Sequence, residues 1–401
     1  MWPLVFWVSV GVIVYIYVGY PILIALCGAA LNRRVKRDPL EPTVTILIAA
    51  YNEEAHIRQT LENKIQLDYP REKREIFVVS DGSSDRTDAI VREFQADRVQ
   101  LLRQEPRAGK TAALNMAARV ARGDILVFSD ANSLYDTGAL RELVANFSDP
   151  TVGYVTGQIR YVRPEDSSNV SQGCSTYMDY ENVVRLAETR AGSLVGVNGG
   201  IDAVRRELYE PMRADQQPDF VLPMMVVKRG YRVVFEPAAI LRETALVKAR
   251  DEYKMRVRVS LRALRALWDM KTLFNPLRFG LYSWQLLSHK FLRYGAFLFL
   301  TFAYVSNLAL AGRGFSFFAL CLLQTTFYLI ALMGWFLDRR GQSSRLLLLP
   351  YYFCLLNLAS AHALAPHSSV DGKSCGIRGP GEPQQRMEVW LEIGERHHPD
   401  I

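Results

Sequence analysis

Gly123-Asp124-Ile125-Leu126-Val127-Phe128-Ser129-Asp130-Ala131-Asn132 is the stretch that decides the fold. Four apolar residues rich in β-formers run through Ser129 into the polar tripeptide Asp130-Ala131-Asn132. A fully buried strand has this pattern, and it delivers a carboxylate and an amide oxygen to its C-terminal end. In an open α/β sheet that end is where ligands bind. Two oxygen-bearing side chains two residues apart can reach one hard cation, and such a cation usually holds a phosphate as well. The same residues also suit a strand that ends in an Asx turn. The neighbouring segments decide between the two.

Upstream, Pro42–Ala50 reads as a buried strand ending in small residues, followed by Tyr51-Asn52-Glu53-Glu54 and a helical pattern from Ala55 to Ile65. Asn52 is the expected N-cap, with acidic residues in the first turn as the helix dipole prefers. Glu75–Ser80 is a second strand ending in Asp81-Gly82-Ser83-Ser84-Asp85, Thr87–Phe94 a second helix, and Val99–Leu102 a short third strand. Arg107-Ala108-Gly109-Lys110-Thr111 then opens the helix Ala112–Ala121. A phosphate-binding P-loop needs glycine five residues before Gly109, where this chain has Gln104, which argues against a nucleoside triphosphatase. Strands and helices alternating over about a hundred residues predict a parallel sheet with helices on both faces. The polar signatures at Tyr51–Glu53, Asp81 and Asp130–Asn132 all follow strand ends, so they can converge on one edge.

Downstream, Val152–Ile159 carries a further β signal, and a helical stretch runs from about Cys174 to Thr189. Val195-Gly196-Val197-Asn198-Gly199-Gly200 is glycine-dense, which suits a backbone approaching a ligand or turning sharply. Pro218–Pro223 places Asp219 at the start of a helical run, and Gly230–Pro237 is a last strand. From Met255 to Trp268, Val257, Leu261, Leu264 and Trp268 form one stripe, and Arg258, Arg262 and Arg265 another. Such a helix lies in a membrane interface or packs on a soluble domain with its arginines solvated. The chain shows no internal repeat.

The ends are apolar. Met1–Asn32 carries no charge, and Leu4–Leu26 is long enough to cross a bilayer. It is too long for a signal-peptide core and has no basic segment before it, so it reads as an anchor. Arg33, Arg34, Lys36 and Arg37 follow, which places the next segment in the cytoplasm. Further spans are expected at Phe291–Ala311, Phe315–Leu337 and Leu346–Ala365, with a basic cytoplasmic turn at Asp338, Arg339, Arg340 and Arg345. Counting crossings puts the tail after Ala365 outside.

The expected organisation is an N-terminal membrane helix (1–31), a catalytic domain (40–245), amphipathic interface helices (246–290), three membrane helices (291–365) and a flexible tail (366–401). The tail region holds His362, His367, His397, His398 and Cys375 at spacings poor for a metal site. The five cysteines show no paired spacing. The net charge is +7, and between Arg242 and Arg293 there are twelve Lys/Arg against four Asp/Glu. That placement, just before a membrane span, suits anionic headgroups or a phosphate-rich ligand rather than nucleic acid.

With these residues assembled, the chain resembles the inverting family 2 glycosyltransferases of α/β, Rossmann-like GT-A fold, in particular the bacterial membrane-embedded sugar transferases and polysaccharide synthases. The resemblance runs from about Pro42 to Trp268. Ala50-Tyr51-Asn52-Glu53 is similar to the family's first nucleotide-contacting turn, and Asp81–Asp85 to its loop for uracil and ribose. Gly109, Lys110 and Asn115 match its Gly-Lys…Asn helix, and Asp130-Ala131-Asn132 stands where the family has Asp-x-Asp. Gly199-Gly200 with Arg205-Arg206 resembles its acceptor-side segment, and Asp219 aligns with its catalytic base.

The resemblance implies a UDP-sugar donor bound by Ala50, Tyr51, Glu53, Asp81, Lys110 and Asp130, and Mg²⁺ or Mn²⁺ held by Asp130 and Asn132. It also implies Asp219 as base, Arg258 balancing charge on the diphosphate, and Gly199, Gly200 and Arg206 on the acceptor side. Localisation at a bacterial inner or plasma membrane, with a cytoplasmic catalytic domain, follows. Two departures stand out. Asn132 replaces an aspartate, and Met255-Arg256-Val257-Arg258-Val259 keeps the arginine of the synthases' Gln-x-x-Arg-Trp but neither its glutamine nor its tryptophan. A glycan or lipid-linked sugar receiving one residue is the expected acceptor. The alternatives are a processive synthase coupled to secretion, which four spans would serve only with an oligomer or partner, and a non-catalytic scaffold for nucleotide or lipid.

Overall fold

The computed structural model describes residues 1–162, 169–244, 249–340, 342 and 345–365. Among them eight strands form one sheet: β1 (Val44–Ala50), β2 (Arg74–Asp81), β3 (Val99–Gln104), β4 (Ile125–Asp130), β5 (Leu134–Tyr135), β6 (Val152–Val162), β7 (Asp202–Arg205) and β8 (Arg232–Thr244). Their order is β3-β2-β1-β4-β7-β6-β8-β5. β1 to β4 are parallel, as the alternation of strand and helix predicted, with Ala50 beside Ser80 and Ala49 beside Asp130. The helices Ile57–Ile65, Thr87–Arg92 and Lys110–Val120 make the crossovers.

Side chains of β1 alternate between two cores. Ile46 and Ile48 pack with Leu61, Val78 and Val127 on one face, while Leu47 packs with Phe77, Leu126 and Leu114 on the other. Both faces are covered, which is why these strands are apolar without interruption.

The second half of the sheet, for which the residues alone set no strand direction, is mixed, with β6 and β8 parallel. β7 runs antiparallel to β4, with Asp202 opposite Phe128, and β6 antiparallel to β7. β7 is only four residues long, and neighbours on both sides impose its strand geometry. β8 does not stop at Pro237. It continues to Thr244 because the ladder with β6 shifts register between Thr156 and Gln158, where the proline has no N–H to donate. Asn52 is not the helix N-cap either. The helix begins at Ile57, Asn52 takes a left-handed φ of 53°, and its amide oxygen accepts from the Ser84 N–H at 2.9 Å. That side chain ties the turn after β1 to the loop after β2.

Three helices among the described residues are long and apolar enough to cross a bilayer: Trp2–Leu31, Ala296–Arg313 and Phe315–Arg339. The first leans on the helix Asn169–Ala191 at Gly28, where a β-carbon would stand 2.6 Å from the Ala187 carbonyl oxygen. Nearby the Tyr20 hydroxyl donates to buried Glu188, which also bonds the His289 ring at 2.7 Å. The fourth expected span, Leu346–Ala365, forms the helix Arg345–Ala363 but is not among those three. Its Ala359 and Ala363 pack on Val257 of the helix Ala249–Asp269. That amphipathic helix turns Ala266 and Leu267 into the sheet core and leaves Trp268 exposed. The tail 366–401 lies outside the described residues, as do His367, Cys375, His397 and His398.

Candidate active site

The C-terminal ends of β1, β2 and β4 carry the residues singled out above. Ala50 is buried at the end of β1. The half-exposed Tyr51 ring that follows lies 3.4 Å from the Arg107 guanidinium carbon, a cation–π stack. Asp81 is buried at the end of β2. One of its oxygens accepts from the Gln104 amide at 2.5 Å and the Ala108 N–H at 2.8 Å, the other from the Gly109 N–H at 2.8 Å. Its carboxylate therefore fixes the segment that leads into the helix Lys110–Val120. Gly109, at φ 92°, makes the turn.

Lys110, the first residue of that helix, forms an ion pair with Oδ1 of Asp130. Asn115, one turn on, points elsewhere. Its side chain bonds the Met212 backbone and the Tyr209 hydroxyl, so it braces a loop. Behind Asp130, buried Lys64 donates to the Ser133 carbonyl at 2.6 Å and covers the Tyr135 ring at 3.8 Å. Burial pushes this ammonium well below its ordinary pKa, with Asp130 pulling the other way. The Tyr135 hydroxyl is shared between the carbonyls of Phe128 (2.8 Å) and Gly200 (2.7 Å), which locks β4 to the glycine pair.

Gly199-Gly200 joins the two halves of the site. A β-carbon at Gly200, where φ is +82°, would stand 3.0 Å from Oδ2 of Asp130; one at Gly199 would stand 2.6 Å from Oδ2 of Asp219. Adjacent Cα atoms are about 3.8 Å apart, so both carboxylates border one dipeptide. Asp219 sits in the first turn of the helix Pro218–Lys228, where the dipole favours an anion, and it does not cap that helix. It accepts from the Gln217 amide at 3.2 Å.

Burial alone would lower the Lys110 pKa, but Asp130, Asp219 and Asp202 together hold its ammonium above the ordinary range. Asp202 is a member of this cluster that the sequence reading missed. It is buried at the start of β7, accepts from the Tyr154 hydroxyl, and leaves Oδ1 without a partner among the described residues. Burial, then repulsion from Asp219 and Asp130, pushes its carboxyl well above the usual range, against the Tyr154 bond and Lys110. Glu243 was also missed, because β8 was expected to end before it. Burial, then Asp130, pushes its carboxyl up to about 7. Glu53 is raised too, by burial first and then by Asp130 and Asp85, with His56 opposing.

Two expected members are not brought into the cluster. Arg206 lies at the far end of β4, donating to the Gly123 carbonyl at 2.8 Å, because the antiparallel run of β7 carries it away from Asp130. Arg258 is exposed on its helix, where burial of its stem and then Arg262 lower its pKa. Arg256, two residues earlier, faces inward to Glu252 at 2.8 Å. For a metal, the described residues hold no cluster of three His, Cys, Asp or Glu side chains. They do offer Oδ2 of Asp130 against the Gly200 cradle and, two residues on, exposed Asn132. Such a pair fits a hard cation that takes its other ligands from phosphate and water.

Residues 45–212 match the Glycosyl transferase family 2 model, so Asp219 lies just beyond the matched segment. A probable glycosyltransferase of Bacillus subtilis is 33% identical over 214 residues, covering 50% of each chain. A poly-β-1,6-N-acetyl-D-glucosamine synthase of Staphylococcus aureus is 30% identical over 220 residues, covering 53% of this chain and 52% of that one. The chain therefore spans about half the length of these curated relatives. A mannosyltransferase of Pyrobaculum calidifontis, solved with GDP-Man and Mn²⁺, superposes with a TM-score of 0.69 at 25% identity, over 89% of this chain and 97% of that one. Residues 45–212 of this chain thus match glycosyl transferase family 2, on a fold similar to that of the solved mannosyltransferase.

Proposed function

We propose that this chain is a membrane-attached transferase that moves a sugar from a nucleoside diphosphate-sugar to a hydroxyl of a glycan or lipid-linked acceptor, with inversion. The observation that carries the reading is the placement of Asp130 and Asp219 on either side of Gly199-Gly200. One hexose can then have its diphosphate at Asp130 and its anomeric carbon facing Asp219. Asp219 takes the proton from the acceptor hydroxyl. That oxygen bonds the anomeric carbon as the bond to the diphosphate oxygen breaks. When bound, a divalent cation at Asp130 and Asn132 stabilises the charge on the departing diphosphate. Lys110 adds positive charge beside it, and Tyr51 with Arg107 offers a stacking surface for the base.

The three long apolar helices support membrane attachment, and the basic run after the first supports a cytoplasmic sheet domain. The synthase relative favours a processive reading. Against it, Met255–Val259 has no aromatic residue on which a growing glycan would stack, so single addition is preferred. The carboxylates gathered at one edge argue against a mere scaffold.

The test is release of UDP or GDP in membranes given a panel of nucleotide sugars. Asp219→Asn is expected to lower transfer by about 10²–10⁴-fold while nucleotide binding is kept. Equal activity removes Asp219 from the role of base. Long products on a sizing gel would overturn single addition.

A further inference from the structure

A cavity of about 380 Å³ lies where the first apolar helix, the helices Asn169–Ala191, Ala249–Asp269 and Arg345–Ala363, and the segment 286–294 meet. Its walls include Tyr17, Tyr177 and Tyr352, and three cations, Arg256, Lys290 and Arg293; among the described residues no Asp or Glu lines it. Two of these cations are held by carboxylates set behind the wall. Arg293 pairs with Glu181, and Arg256 with Glu252 at 2.8 Å and the Tyr352 hydroxyl at 3.0 Å. Arg293 is also stacked over Tyr177 at 5.2 Å. Lys290 differs, since no hydrogen bond or ion pair among the described residues holds its ammonium. Burial pushes its pKa down, with Glu181 opposing. A cation in such a place is costly unless an anion meets it, and ionisable groups retained beside apolar spans commonly serve a ligand.

The cavity reaches the transfer site through one loop. Lys290 packs on Gly196 so closely that a β-carbon there would stand 2.2 Å from Nζ. The Gly196 carbonyl is fixed by Arg185 at 3.0 Å. Three residues on, Gly199 touches Asp219, a span of at most about 11 Å of chain. The wall also holds Leu349, which is exposed, and Phe353 of the last helix.

We propose that this cavity binds the phosphate headgroup of a lipid-linked acceptor. Lys290, Arg256 and Arg293 face the phosphate, the lipid chain leaves past Leu349, and the hydroxyl-bearing end is directed along Gly196–Gly199 to Asp219. The word acceptor rests on the transferase reading; the phosphate site does not.

The experiment uses the full chain in detergent without any sugar nucleotide, so it is independent of transfer. Binding of a polyprenyl phosphate is compared with that of the polyprenol of equal length and of inorganic phosphate, by native mass spectrometry and titration. One polyprenyl phosphate per chain is expected, with far weaker binding of the other two. Lys290→Met should weaken it roughly tenfold to a hundredfold, and Lys290→Arg should keep it within a few-fold. Thr176→Trp, at an exposed position on the cavity wall, should block binding without changing charge. Equal binding of the polyprenol or of inorganic phosphate overturns the proposal. So does equal displacement by phosphatidylglycerol, or binding unaltered in both Lys290→Met and Thr176→Trp at wild-type melting temperature.

Discussion

Gly199 leaves no room for a side chain beside Asp219: a β-carbon there would stand 2.6 Å from Oδ2 and 3.1 Å from Cγ. Gly199→Ala must therefore displace the carboxylate, which is the group proposed above as the base. A misplacement of about 1 Å costs on the order of 10² in rate. Transfer should fall by about that factor, while nucleotide affinity, proposed to depend on the β1, β2 and β4 ends, should change less than threefold. Nucleotide release and equilibrium binding on the same membranes separate the two. An unchanged rate would mean that Asp219 does not need this position.

If a divalent cation binds at Asp130 as proposed, Lys110 competes with it, because the lysine ammonium already holds Oδ1 of that carboxylate. Lys110→Met should let the donor-free chain bind Mn²⁺ more tightly, a charge pair worth roughly 1 kcal/mol at this half-exposed site being removed. The same variant should transfer sugar more slowly, having lost a positive charge near the departing diphosphate. Mn²⁺ titration by electron paramagnetic resonance reads the first effect. Weaker Mn²⁺ binding would show that Lys110 supports the cation instead. Chelation with EDTA should stop transfer in the wild type.

What could be read from the residues follows from the range of the interactions involved. The parallel half of the sheet was legible because β1, β2 and β4 are buried on both faces and so run apolar without interruption. Each ends in a polar group whose position is fixed by the strand alone, which is why Tyr51, Asp81 and Asp130 share one edge. β7 was not legible, since Asp202–Arg205 carries no alternation and owes its extension to β4 and β6. Missing it hid Asp202 and misplaced Arg206, which an antiparallel strand takes to the far edge. On the helix Ala249–Asp269 periodicity gave the faces, but not that Arg256 rather than Arg258 turns inward; that depends on Glu252 and Tyr352, the latter from a helix a hundred residues away.

Asp202 tests whether a carboxyl in this cluster is kept neutral. Burial and the charges of Asp219 and Asp130 favour its protonated form. Asp202→Asn should then be nearly silent at neutral pH, within about 1 kcal/mol in stability and a few-fold in rate. Asp202→Ala should cost more, about 1–3 kcal/mol, by leaving the buried Tyr154 hydroxyl without its acceptor. Thermal melting of both variants, with Tyr154→Phe as the partner in a double-mutant cycle, makes the comparison. A large loss on Asp202→Asn would show that the charged form matters.

Glu243 should leave a signature in the pH dependence of stability. Its carboxyl is raised from an ordinary 4.5 to about 7, by burial first and Asp130 second. Between those values the unfolded chain gives up the proton before the folded one does. The contribution of Glu243 is therefore fully present below pH 4.5 and is lost as pH rises through 7, by up to about 3 kcal/mol. Glu243→Gln keeps the shape and removes the titration. Its melting temperature relative to wild type should rise by several degrees between pH 5 and pH 8, measured in EDTA so that no cation alters the cluster. Parallel curves across that range would place the Glu243 carboxylate in contact with water or a cation in the folded chain, and would take it out of the charge balance around Asp130.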